Sequence, residues 1–575
     1  MKLLLPVLLL SASFLSGQTN TVTIHVDASH TQANFPRVWN FFGYDEPNYT
    51  YAANGKKLLK EIAAFSPVPA HIRTHNLLTT GNGQASLKWG STNAYTEDPA
   101  GNPVYDWKIV DRIFDTYHDL GLKPLVEIGF MPEAMSTHPE PYRHNFPNGS
   151  IYTGWAYPPK DYSKWAELVF QFARHLRERY GDAEVKTWLW EVWNEPDIDY
   201  WKGTPEEYFK LYDYSADAVL RALPGATIGG PDSTGPSRPK AVEFLRQFLE
   251  HCESGRNFAT GKIGAPLDFI SFHPKGSPTW QGDHVQMGLA AQLKAIDAGF
   301  KIVASFPKWR NTPVILGEWD PEGCAACSAE KNPQNGYRNG PLYAAYTAEA
   351  LDRTLQLAEQ DHIHLRGALT WAFEFEDQPY FAGFRELAAN GLDKPVLNAF
   401  RMFGLLGEER VAVTSSSALA TADVLRDGVR AQPDIGVIAT RSNWSTASEK
   451  ARAERKNGSQ GIEILLWNYH DDDVSAPAAS IDLTITGLPS NHDSSGNEHA
   501  LLEHFRIDST HSNAFSAWKS LASPQPPTPD QYRELESSGQ LQLLTSPEWI
   551  DIHDENASVH FELPRQGVSL LRISW

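Results

Sequence analysis

The run T-W-L-W-E-V-W-N-E-P-D, residues 187–197, decides how the chain is read. Its first half is an apolar strand. Asn194 and Glu195 leave that strand, and Pro196 forces the turn, because proline fixes its own φ and has no N–H to extend a ladder. Seven comparable runs lie around it: WNFFGY (39–44), HIRTH (71–75), PLVEIGF (124–130), TIGG (227–230), DFISFH (268–273), PVILGE (313–318) and ALTWAF (368–373). Helix-like stretches separate them. In Tyr162–Tyr180 the apolar residues Trp165, Leu168, Val169, Phe172 and Leu176 recur at three and four, and Trp107–Leu120, Pro205–Leu223, Lys240–Glu250 and Pro341–Gln360 read alike. Eight strands alternating with helices, from about Asn40 to Phe400, predict a (β/α)8 barrel with long loops. A doubly wound sheet alternates similarly, but no Gly-rich dinucleotide loop follows the first run and no Walker loop occurs.

Beyond Gly404 the pattern changes. GVIATRS (436–442), GIEILLWNY (461–469), SIDLTITGL (480–488), HALLEHFRI (499–507), SVHFELP (558–564) and GVSLLRISW (567–575) read as strands separated by turn residues, which predicts a β-sandwich. The early strand TVTIHVD (21–27) is expected to join that sandwich, and the polar segment Asn443–Gln460 to be a mobile loop. The division expected is therefore a leader at 1–17, a sandwich strand within 18–38, the barrel at 39–404 and the sandwich at 405–575.

Composition narrows the function. Fifty Lys+Arg against seventy Asp+Glu give a formal charge of −20, which argues against nucleic acid as a partner. Hydrophobic residues at 41% and charged residues at 21% exclude wholesale disorder. The start, MKLLLPVLLLSASFLSG, has one cation and an apolar stretch too short to span a bilayer. It reads as an export signal, and no later run is apolar enough to span, so a periplasmic or extracellular protein is expected. Three cysteines occur. In an oxidising compartment the C-x-x-C pair Cys324 and Cys327 reads as a local disulfide, in preference to a zinc site or a redox motif.

The chemistry lies at the strand ends. Active sites of barrels sit at the C-terminal face, and there the fourth run ends in Glu195 and the seventh in Glu318. Two carboxyls projecting into one mouth are what glycosidic cleavage requires: one protonates the leaving oxygen while the other supports an oxocarbenium-like transition state. Either residue alone reads as a solvated loop charge.

W-N-E-P (193–196) with the later G-E (317–318) resembles the clan A glycoside hydrolases. H-I-R-T-H-N (71–76), E-I-G-F-M-P (127–132), S-F-H-P-K-G (271–276), G-E-W-D-P (317–321), K-P-V-L-N-A-F (394–400) and R-I-D-S-T-H-S-N (506–513) refine this to a resemblance to family 39, which holds β-xylosidases and α-L-iduronidases. The resemblance implies that Glu195 is the acid/base, Glu318 the nucleophile, and Asn194 a partner of the sugar 2-hydroxyl. For retention the carboxyl groups should lie about 5–5.5 Å apart. Glu318 should stay ionised, and its charge should keep Glu195 protonated. His273 is implied to hold the nucleophile or a sugar hydroxyl, with a buried structural histidine as the alternative. Lys275 matches an iduronidase lysine that meets a substrate carboxylate, and Arg385 stands near a second carboxylate-binding position.

Other positions stay open. Arg73 is either a hydrogen-bond partner of Glu318 or part of a structural ion pair. His75 either binds sugar hydroxyls or packs the mouth. Trp371 either floors the sugar site or is core, and Glu374 either binds hydroxyls or belongs to a solvated acidic loop with Glu376 and Asp377. The expected activity is release of terminal sugars from oligosaccharides with retention, with β-D-xylosidase first and a uronic-acid enzyme of iduronidase type second. Two further readings are an endo-acting glycanase and a non-catalytic carbohydrate-binding protein, which would lack one strand-end Glu. Two carboxyl groups suffice for the reaction, so no metal or organic cofactor is expected. Oligomeric state is left open by the sequence.

Overall fold

The computed structural model describes residues 21–575 except 86, 147–148, 372, 443–460 and 489–498. The expected leader and the polar segment 443–460 therefore lie outside the described residues. Eight parallel strands close into a barrel: β1 (Phe41–Tyr44), β2 (His71–Thr74), β3 (Lys123–Ile128), β4 (Leu189–Val192), β5 (Thr227–Thr234), β6 (Phe269–His273), β7 (Val314–Leu316) and β8 (Leu365–Trp371). Closure is made by β8 on β1, with Leu369 opposite Phe41 and Trp371 opposite Gly43. Gly43 has to be glycine, because a Cβ there would lie 2.4 Å from the Trp371 ring.

A helix follows each strand: α1 (Ala53–Phe65), α2 (Lys108–Asp119), α3 (Tyr162–Tyr180), α4 (Pro205–Ala222), α5 (Pro239–Ser254), α6 (Leu289–Ala304), α7 (Pro341–Gln360) and α8 (Pro395–Leu405). Their starts are encoded locally. Asp161 caps α3 by accepting the Ser163 and Lys164 N–H groups, and Thr204 with Glu207 forms a capping box before α4. Proline opens α4, α5, α7 and α8, where its missing N–H costs nothing. The strands are buried on both faces, which is why they read as continuous apolar runs.

Among the described residues, the N-terminal strand and the strands after residue 405 form one curled ten-stranded sheet. Its N-terminal member, Val22–Asn34, pairs antiparallel with Glu409–Ser415 and parallel with Ala479–Thr486. The strand Gly461–Tyr469 is buried at every residue because it is covered on both sides. Ile462, Ile464 and Leu466 face the sheet's own core, while Leu465, Trp467 and Tyr469 pack into the barrel's. There Trp467 Nε1 donates to Glu349 Oε2 of α7 at 2.6 Å. A turn at 471–473 grips the loop after β6: Met287 N donates to Asp471 O at 2.7 Å, Asp473 N to Val285 O at 2.8 Å, and Gln286 Nε2 to Asp472 Oδ1 at 2.7 Å.

After residue 404 the sequence predicts strands and turns alone, whereas the structure adds helices Thr421–Asp427, Ala514–Ser520 and Pro529–Gly539. The last two pack against the barrel. They are fixed by packing Ala514 and Leu535 against Phe381 and Leu392 of the barrel, a tertiary cause that periodicity does not carry.

Candidate active site

Glu195 and Glu318 leave β4 and β7 and meet across one gap. An oxygen of each, together with a His273 ring nitrogen, lies within 4.8 Å of the others. Both are buried, with 6% and 4% exposure. The turn that aims Glu195 is unusual, with Trp193 at φ 73 and Glu195 at φ 43, a left-handed backbone that side-chain-bearing residues seldom adopt. Hydrogen bonds hold it: Trp193 N donates to Ile128 O at 3.1 Å and Glu195 N to Asp232 O at 2.9 Å. Gly317, just before Glu318, leaves room for the pair behind it, since a Cβ there would stand 2.2 Å from Asp232 Oδ1 and 3.0 Å from His273 Nε2.

Cations surround this gap. Lys275 Nζ lies 3.2 Å from Glu195 Oε1 and in direct contact with Glu318 Oε2. His273 Nδ1 is 2.9 Å from Glu195 Oε1, and its Nε2 is 2.6 Å from Asp232 Oδ1. Burial alone would lower the His273 pKa, but Asp232 and Glu318 push it up to about 10, so the ring is an imidazolium. Burial likewise disfavours the Lys275 ammonium, and Glu195 and Glu318 more than reverse this.

These charges correct one expectation. Glu195 was to hold a proton under the influence of Glu318. Burial does press its pKa upward, but Lys275 and His273 outweigh it, and the resting carboxyl lies well below the usual carboxylate range. Glu318 is lowered too, by Lys275 and His273 against burial and the Glu195 charge. Glu195, His273 and Glu318 are also spaced to ligate a cation. However, an imidazolium has no lone pair to offer, and the Lys275 ammonium already touches both carboxylates.

Arg73 lies beneath the gap and serves other partners than expected. Its Nε donates to Glu191 Oε2 at 2.8 Å, its Nη2 contacts Glu127 at 2.9 Å and bonds Asp232, and Nη2 also reaches Asn194 Oδ1 at 3.2 Å. Glu318 is 3.8 Å away, outside hydrogen-bond range. The reason is geometric: three buried carboxyls from β3, β4 and β5 take its Nε and Nη2, and its Nη1 lies 3.1 Å from His75 Nε2, so the guanidinium serves as the structural ion pair of the two alternatives. His75 links Asp45, 3.0 Å from Nδ1, to Glu127, 3.1 Å from Nε2. Burial and Arg73 keep it neutral. Trp371 lies against His75 with ring centroids 4.2 Å apart, and Arg73 stacks 5.0 Å from its ring.

Two expected contacts are not made. Glu374 neither faces the gap nor forms part of a solvated loop. It is 1% exposed, accepts the Gly391 N–H, and burial raises its pKa to about 8. Arg385 is fully buried behind the mouth, where its Nε donates to Trp371 O at 3.0 Å and its Nη1 to Glu322 Oε1 at 2.7 Å. The loop after β7 has captured this guanidinium, so it does not extend to a substrate carboxylate. The Cys324–Cys327 disulfide is formed, and Cys252 is a buried thiol. The disulfide closes a loop whose Cys324 and Cys327 carbonyls accept hydrogen bonds from Arg338, at 2.6 and 2.7 Å.

Several site residues escaped the sequence reading: Glu127, Glu191 and Asp232, and also Asp45 and Lys88. The first two carried a usable signal, because a carboxylate inside an apolar strand run requires a buried partner. Lys88 carried none.

A closed parallel barrel with paired carboxyls at the ends of its fourth and seventh strands defines a glycoside hydrolase. The profile of glycosyl hydrolases family 39 matches residues 22–543, and the chain belongs to that family. It is 27% identical over 497 residues to a β-xylosidase of Geobacillus stearothermophilus, covering 84% of this chain and 81% of that one. It is also 27% identical over 401 residues to human α-L-iduronidase, covering 65% of this chain and 55% of the human enzyme. The crystal structure of a monomeric β-xylosidase from Caulobacter crescentus CB15 superposes with a TM-score of 0.71 at 21% identity over 96% of this chain and 99% of that one, a likeness of fold.

Proposed function

We propose that this protein is a retaining exo-glycosidase that releases terminal β-D-xylosyl units from oligosaccharides. The observation that carries the reading is the carboxyl spacing: oxygens of Glu195 and Glu318 within 4.8 Å of each other leave no room for the water that an inverting enzyme seats between them. Glu318 attacks the anomeric carbon as Glu195 gives its proton to the departing oxygen. Glu195 then removes a proton from the water that cleaves the Glu318 ester.

The resting charge state fits this cycle once a sugar is present. A sugar entering the gap separates the Lys275 ammonium from the two carboxylates. Glu195 then faces the Glu318 charge with less compensation and regains a proton. Ester formation later removes that charge, and Glu195 becomes a base. The xyloside preference is supported by the β-xylosidase relatives and by the burial of Arg385 behind the mouth, which withdraws one of the two cations expected to meet a substrate carboxylate. That lysine favours a second reading, a terminal uronic acid, in line with the α-L-iduronidase relatives.

The test is hydrolysis of aryl β-D-xyloside beside aryl α-L-iduronide, with the anomer released followed by NMR. Retained β-xylose, abolished by Glu318→Ala in a folded protein, is expected. An inverted product, or turnover by Glu318→Ala near that of the unaltered protein, refutes the mechanism. Lys275→Ala separates the two sugars, since selective loss on the iduronide would establish carboxylate recognition.

A further inference from the structure

Asp45 follows directly on β1, and Lys88 stands in the loop after β2. Asp45 is 3% and Lys88 7% exposed. Lys88 Nζ donates to both Asp45 oxygens, each at 3.0 Å, and Asp45 Oδ1 is 3.0 Å from His75 Nδ1. On the far side of the same ring, His75 Nε2 lies 3.9 Å from Glu318 Oε1. One imidazole therefore separates this ion pair from the nucleophile. Lys88 is at φ 56, with its N–H bonded to Glu46, so the backbone holds an unfavourable conformation where the side chain turns to Asp45.

A buried ion pair is a poor way to secure a loop, because desolvating each charge costs several kcal/mol and apolar side chains of similar volume often serve as well. The pair also has unused capacity. An ammonium has three donors, and among the described residues Lys88 uses two, both on Asp45. A carboxylate has about four acceptor sites, and Asp45 fills three, with Lys88 twice and His75 once. The pair lies within electrostatic range of the catalytic residues. The buried phenol of Tyr200 is pushed up first by burial and then by the charges of Asp45, Glu195 and Glu318 together. Lys88 in turn is held up against burial by Asp45 and Glu318.

We propose that Asp45 and Lys88 form the blind wall of the sugar subsite and grip two adjacent ring hydroxyls of the terminal sugar, O3 and O4, Asp45 as acceptor and Lys88 as donor. The inference rests on the glycosidase reading of the gap and extends it. A sugar substituted at O4 by a further residue would lose the grip and meet the wall, so cleavage is confined to chain ends.

The test compares an aryl glycoside with its 3-deoxy and 4-deoxy analogues. A site built to hydrogen-bond a hydroxyl rejects the analogue lacking it by a large factor. The unaltered protein is expected to hydrolyse at least one analogue on the order of 10³-fold more slowly in kcat/KM. Asp45→Asn and Lys88→Met are expected to lower kcat/KM on the parent by about 10²-fold or more, chiefly through KM, and much less on the analogue lacking the hydroxyl each residue binds. Two results would overturn the inference: analogues hydrolysed within about tenfold of the parent by the unaltered protein, or variants that fold but lose equally on all three substrates. The first needs no variant, so a protein that fails to fold does not block the test. The glycosidase reading fails separately, through Glu318→Ala on the parent substrate.

Discussion

Lys275→Met keeps the aliphatic stem and deletes the charge that touches both carboxylates. At 3.2 Å from Glu195 Oε1, a unit charge in an effective dielectric of about 20 interacts by about 5 kcal/mol. That equals roughly 4 pH units at about 1.4 kcal/mol per unit. Water admitted where the ammonium stood screens much of this, and a shift of about 1–2 units is expected. The sign is fixed. Lys275 holds Glu195 and Glu318 low against burial, so its loss raises both, and two carboxyls this close then share one proton to higher pH. Because kcat/KM reports groups of the free enzyme, the whole bell should move toward alkaline pH. The assay is kcat/KM on the better of the two aryl glycosides across pH for both proteins, with circular dichroism as the control for folding. A bell that stays in place or moves toward acid would refute the assignment of Lys275 as the cation that sets the resting charge of the pair.

Arg73→Met strands Glu127, Glu191 and Asp232 in the barrel floor, and should destabilise the protein by about 3–5 kcal/mol in urea melts. His504 is buried in the sheet, and burial lowers its pKa to about 3. A depressed folded pKa contributes fully above the unfolded value near 6.5 and is lost as pH falls toward 3, at about 1.4 kcal/mol per pH unit. His504→Gln should therefore lose stability less steeply than the unaltered protein in that window, as followed by thermal melts. Trp467→Phe leaves Glu349 Oε2 without its 2.6 Å donor and should cost about 1–3 kcal/mol, read as a lowered melting temperature.

The barrel was legible because each strand is a short apolar run with a polar end and each helix carries its own start signal; Tyr162–Tyr180 and Pro341–Gln360 match their predicted limits. The two glutamates were legible for the same reason, since Pro196 and Gly317 mark where the strands end. What stayed hidden depends on which charges the closed barrel brings together. Arg73 could not be assigned to Asp232 rather than Glu318 from spacing, because both lie on distant strands and the choice is one of ångströms. Arg385 was misplaced for a related reason: nothing local reveals that Glu322 would capture it. Lys88 lies in a Gly-rich loop where a lysine reads as solvated.

The turn at 471–473 gives the peripheral sheet a share in the chemistry. It clamps residues 285–287, at the far end of the same connection that starts with Lys275. Anyone transplanting this barrel onto a foreign partner, or expressing residues 39–404 by themselves, would release that connection at its outer anchor. The loss should appear first as a loosened lysine and a weaker hold on the two carboxylates, before the eight strands themselves come apart.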